Sequence, residues 1–121
     1  MKKKKQAKFV IQQHERQDEP THWDLMLEKS DVLETYRVNK PPEEWGKGLI
    51  EAVKIFNHPL KFLTYQGSVN NGKGNVTIAD SGVYRLLTEN ENKLTVDFEG
   101  VIVKGIKEII FSGGKYRAQH E

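Results

Sequence analysis

His22-Trp23-Asp24-Leu25-Met26-Leu27 alternates polar and apolar side chains almost without error. That is the period of a β-strand, whose successive side chains point to opposite faces. His22, Asp24 and Met26 share one face. Trp23, Leu25 and Leu27 share the other, so the larger apolar set is expected to enter a core. Two strand positions span roughly 6.6 Å, from which an imidazole and a carboxylate can converge on one ion about 2.1 Å from each ligand atom. The run Phe9-Val10-Ile11-Gln12-Gln13-His14 supplies a third candidate ligand if it pairs with the His22 strand across the polar segment Glu15–Thr21. On pattern alone, a hydrogen-bonded His22–Asp24 pair beside a surface-loop histidine explains these residues better than a metal site does, because His-x-Asp arises easily by chance.

Outward from this strand the same period recurs in short runs separated by Gly, Asn, Asp and Pro. Candidate strands are Lys8–His14, His22–Glu28, Glu34–Asn39, Leu49–Asn57, Lys61–Tyr65, Asn75–Ala79, Val83–Leu87, Lys93–Phe98 and Val101–Phe111, the last broken or bulged near Gly105. Asn71-Gly72 and Asp80-Ser81-Gly82 carry turn chemistry, and Pro41–Gly46 suits a loop with one helical turn. The pattern predicts a mainly β fold, a compact antiparallel barrel of about eight short strands with at most one or two short helical turns. It spans 8–115, between a flexible basic tail at 1–7 and a second tail at 116–121.

A chain of 121 residues suits one compact domain. It contains no cysteine, which excludes disulfides, thiolate metal sites and thiol nucleophiles and leaves nitrogen and oxygen as metal ligands. Met1-Lys2-Lys3-Lys4-Lys5 leads straight into a strand-like run, without the apolar stretch of a signal peptide or membrane span, so a cytoplasmic, membrane-free protein is expected. A net charge of +2 makes the domain no general magnet for nucleic acid. The lysine tail serves equally as a solubilising segment or a phosphate contact.

The ordered motifs Phe9–His14, His22–Glu28, Leu33–Lys40, His58-Pro59-Leu60 and Tyr65-Gln66-Gly67 resemble those of the 3′-phosphoesterase domain of bacterial ligase D. Asp80–Tyr84 and Val103–Ile106 follow more loosely. The resemblance implies a small stand-alone β-barrel enzyme of DNA non-homologous end joining that removes a 3′-phosphate or a 3′-terminal ribonucleotide to leave a 3′-hydroxyl. It implies a divalent metal, usually manganese, with zinc or cobalt as alternatives, held by His14, His22 and Asp24. Gln12 would stand behind the ligands. His58 would contact the phosphate or aid proton transfer, and Lys40 would bind phosphate or DNA. The implied partners are DNA or RNA-tailed DNA 3′ ends and a separate ligase or polymerase acting in trans, with the protein itself a monomer.

Two departures stand out. Met26 occupies the position of a phosphate-holding arginine, and Phe62 that of a tyrosine. Losing one preorganised donor typically costs roughly 3–4 kcal/mol, so Arg16, Arg37 and Lys73 become candidate phosphate-binding cations. A relative that binds DNA ends or a repair partner without turnover is the alternative. A non-haem iron oxygenase, which also uses two histidines and a carboxylate, is a third. Trp23, Trp45, Phe56, Phe62 and Tyr65 read as core or rim packing. The Gly67–Gly74 segment reads as a hairpin turn or a phosphate-approaching loop. His120 is expected to play no part.

Overall fold

The alternation at His22–Leu27 is realised in β2 (Glu19–Lys29), where Leu25 and Leu27 are fully buried and Trp23 packs at the edge of the same core. The computed structural model describes residues 6–46 and 48–113. The other strands are β1 (Ala7–Arg16), β3 (Val32–Val38), β4 (Gly48–Pro59), β5 (Gly67–Val69), β6 (Gly74–Glu89), β7 (Lys93–Gly100) and β8 (Lys104–Gly113). Seven of them close a barrel in the order β1-β2-β3-β4-β8-β7-β6, sealed by pairing of β6 with β1, and β5 lies outside against β6. Short 3₁₀ turns sit at Pro42–Glu44 and Leu60–Leu63. Among the described residues no helix is long and apolar enough to cross a membrane.

The expected barrel is present, with one difference in its weave. Every pairing is antiparallel except β4–β8, which runs parallel. The cause is arithmetic: strands that alternate up and down around a closed ring must be even in number, and seven force one parallel neighbour pair.

Inside the barrel Phe9, Ile11, Leu25, Leu27, Tyr36, Ile50, Val96 and Ile109 form the main core. A second apolar cluster, Val10, Met26 and Leu33, sits on the outer face of β1–β3. Leu60, Phe62 and Leu63 fold over it. This explains why Lys61–Tyr65, expected as a strand, is instead a 3₁₀ turn: its apolar residues serve as a cover, which an extended segment would carry past the cluster.

Asn75–Ala79 and Val83–Leu87 are one strand, β6, and Asp80-Ser81-Gly82 is not a turn. Asp80 is buried, and its carboxylate accepts hydrogen bonds from the amides of Val101, Ile102 and Val103 at 2.8–3.2 Å. Gly82 is there for close approach, since a Cβ would lie 2.1 Å from the Glu99 carbonyl oxygen. The amides of 101–103 are thus drawn into a bend, and β8 starts at Lys104 rather than Val101. Gly67–Val69, read as loop, is a short strand whose partner lies in β6. Residues 1–5 and 114–121, which hold most of both expected tails and His120, lie outside the described residues; the barrel begins at Ala7.

Candidate metal centre

Hairpin register builds the site. β1 and β2 set His14 opposite His22 and Gln12 opposite Asp24, and β2 and β3 set Asp24 opposite Arg37. All five side chains therefore project from the outer face of the sheet. His14 Nδ1 stands 3.0 Å from His22 Nε2. Asp24 Oδ2 stands 3.5 Å from His22 Nε2 and 3.9 Å from His14 Nδ1. Ligands held about 2.1 Å from a common ion at right or tetrahedral angles stand about 3.0–3.4 Å apart. The three atoms thus need shifts of only a few tenths of an ångström to share one ion. Two imidazole nitrogens and a carboxylate oxygen, with no sulfur, suit manganese, zinc or cobalt. Among the described residues this is the one cluster of three such groups.

The electrostatics favour ligand-ready forms. Burial lowers the His14 pKa, His22 adds to that, and Asp24 opposes it, leaving a neutral ring. Burial alone would raise Asp24, but its hydrogen bond with His22 and the charges of His22, Arg37 and His58 outweigh it and hold the carboxyl below its usual range. His14 Nε2, the nitrogen turned away from the cluster, is buried without a hydrogen-bond partner and faces Gly74. A Cβ on residue 74 would lie 3.0 Å from it, so glycine there leaves the ring its place.

The three groups open into a cleft of about 700 Å³ whose wall also carries Arg37, Phe56, His58 and Lys61. Arg37 donates from Nε to Asp24 Oδ1 at 3.4 Å, and its Nη atoms bond no protein group among the described residues. His58 is fixed by Thr35, which lies next to Met26 across the β2–β3 ladder. The Thr35 hydroxyl lies 3.1 Å from the Leu33 carbonyl and 2.8 Å from His58 Nδ1; with its proton on the carbonyl it accepts from His58 Nδ1, and in that tautomer His58 Nε2 carries the lone pair. Burial lowers the His58 pKa against the pull of Asp24, which keeps the ring neutral at neutral pH. Gln12 donates to the carbonyls of Phe62 and Tyr65 at 3.0 and 2.9 Å and pins the covering segment beside the site.

The other candidates are placed differently. Arg16 lines the cleft, but its guanidinium leans on Asp18 at 3.5 Å and Glu19 at 3.9 Å. Lys73 lines a separate groove with Glu15, Gln17 and Gly74. Lys40 lines a depression with Val38, Asn39, Leu49 and Glu51, and its carbonyl accepts from Trp45 Nε1; it does not reach the cleft. Sequence reasoning missed Thr35 and Gly74. Thr35 shares a strand face with Leu33 and Arg37, so a polar residue behind a charged one was the available signal.

The small β-barrel gathers two histidines, an aspartate, an arginine and a third, neutral histidine on its outer wall, a donor set with the chemistry to hold a cation beside an anion. Residues 12–120 match the family described as DNA ligase D 3′-phosphoesterase domain. The chain belongs to that family. It is 33% identical to the multifunctional non-homologous end joining protein LigD of Mycolicibacterium smegmatis, over 93% of this chain and 16% of that protein. The LigD proteins of Mycobacterium bovis and Mycobacterium tuberculosis are 35% identical over 63% of this chain and 10% of their own length. The chain therefore spans a sixth or less of the relatives it matches.

Proposed function

We propose that the chain is a metal-dependent phosphoesterase that cleans DNA 3′ ends during end joining, removing a 3′-phosphate or a 3′-terminal ribonucleotide to leave a 3′-hydroxyl. The reading rests on one observation: His14 Nδ1, His22 Nε2 and Asp24 Oδ2 converge within 3.9 Å in a cleft that also presents Arg37 and His58. Family membership supports it.

His14, His22 and Asp24 would hold the divalent ion, manganese by preference. When bound, such an ion lowers the pKa of a water ligand and polarises a phosphate oxygen. Arg37 aims its free Nη groups at the phosphoryl oxygens and complements charge that grows as the P–O3′ bond breaks. His58 Nε2 takes the proton of the attacking water, and the departing 3′ oxygen, on the opposite side of the phosphorus, takes its proton from solvent in the open cleft. Thr35 keeps that nitrogen unprotonated and aimed. The product is a 3′-hydroxyl that a ligase or polymerase can extend or seal.

The test is incubation with manganese and a primer-template ending in a 3′-phosphate or a single 3′-ribonucleotide, resolved on a gel. The expected result is conversion to a 3′-hydroxyl that chelator abolishes and His14→Ala prevents. Metal binding with no turnover of either end would identify an end-binding module instead.

A further inference from the structure

Phe56 is a large apolar side chain left 41% exposed, and among the exposed apolar residues described it is the one that lines the site cleft. It is also the one aromatic of that set. Leu49, Val53, Leu87, Val101, Ile102, Ile106 and Ile110, the rest of the set, lie elsewhere on the surface. Its position is set firmly. Phe56 and His58 are two apart at the end of β4, and their rings stack at 4.9 Å with 21° between planes. His58 is in turn held edge-on by Phe62 at 5.5 Å and anchored by Thr35. One face of Phe56 is thus backed by a fixed imidazole, and the ring still presents apolar surface to the cleft.

This arrangement puts a flat apolar surface beside the group that handles the proton and in the same cleft as the cation-binding cluster. An end group bound with its phosphoryl at Arg37 and His58 must carry its sugar and base along the cleft wall. Base stacking on an aromatic ring is favourable for every base, because each has a π face, and needs no edge-reading donors. We propose that Phe56 is the platform on which the base of the 3′-terminal nucleoside stacks, giving the site a preference for ends that carry a base with no preference among bases. The proposal rests on the phosphoesterase reading and adds a subsite to it.

The experiment compares two duplexes, each ending in a 3′-phosphate, one with a normal terminal nucleotide and one whose terminal sugar lacks a base. Manganese-dependent kcat/KM is measured for wild type, Phe56→Leu and Phe56→Tyr, with circular dichroism confirming the fold of each. Wild type should favour the normal end by at least about fivefold, Phe56→Tyr should keep the ratio, and Phe56→Leu should bring it to about one. A wild-type protein that processes both ends equally, or a Phe56→Leu protein that keeps the preference, overturns the platform and leaves the phosphoesterase reading standing. No processing of either end by wild type overturns both.

Discussion

Replacing Arg37 with glutamine separates three quantities that the structure makes independent. Stability should fall modestly. The Arg37 side chain is 36% exposed, but its partner at 3.4 Å, Asp24, is buried; His22 still holds that carboxylate and glutamine can still donate to it, so the loss should be about 1–2 kcal/mol. Metal affinity should hold or rise, because the substitution removes a positive charge beside the ion site and frees Asp24 Oδ1. Turnover should collapse, because the substitution deletes a guanidinium that lines the cleft and whose Nη groups bond no protein group among the described residues, and a preorganised donor to developing charge supplies about 10²–10³ in rate. Arg37→Lys keeps the charge without the planar fork and should recover only part of that loss. The assay pairs manganese titration by calorimetry with urea melts and single-turnover 3′-phosphate release. Turnover within about threefold of wild type, or metal affinity that falls in step with activity, would refute the assignment of Arg37 to the phosphate.

Three further outcomes are expected. Gly74→Ala puts a Cβ 3.0 Å from His14 Nε2, so the ring must shift; manganese affinity measured by calorimetry should fall roughly 10–100-fold with the far-UV spectrum unchanged. Met26→Arg forces a charge into the Val10–Leu33 cluster, where Met26 is 1% exposed, and should lower stability in urea melts by roughly 1–3 kcal/mol without raising activity, if Arg37 fills the phosphate-binding role proposed for it. The buried Tyr84 hydroxyl, which donates to the Glu28 carbonyl, is pushed up to about 12 by burial and by Glu34, Glu28 and Glu89, against 10.0 in an unfolded chain. The folded state therefore holds a proton that the unfolded state releases, so this contribution is complete below pH 10 and is lost as pH rises through 12. It amounts to roughly 2 kcal/mol, and Tyr84→Phe should remove the corresponding fall in stability from urea melts taken between pH 8 and pH 12.

The centre of the site was legible because its information is local. Alternation in β2 placed His22 and Asp24 on one face, and a hairpin needs nothing but register to add His14. What was hidden depends on segments distant in sequence. Asp80-Ser81-Gly82 has the composition of a turn, and only the amides of 101–103, some twenty residues on, make it the middle of a strand. Lys61–Tyr65 alternates like a strand, yet the outer cluster it covers exists only after β1, β2 and β3 have paired. The cations show the same division. Arg16, Arg37 and Lys73 are equal on the page, and cross-strand pairing opposite Asp24 singles out Arg37. Carry-over by resemblance put Lys40 at the site, whereas the chain turns away after Val38 and leaves it in a different depression.

The seven-strand ring has a consequence for how the molecule assembles. β1–β4 form one continuous meander, β6–β8 form another, and the ring closes along two seams, β1 against β6 and β4 against β8. His14, His22, Asp24, Arg37 and His58 all belong to the first meander, whose strands follow one another through short connections. Its hairpins rely on near neighbours and form quickly, whereas both seams join segments far apart in sequence, the slow kind of contact. The five side chains of the candidate site can therefore come together while the second meander is still undocked. Until closure, β1 and β4 are bare edges, the β4 edge flanked by the exposed Leu49 and Val53. The interval between a finished site and a sealed barrel is the time in which this chain is most open to pairing with another copy of itself.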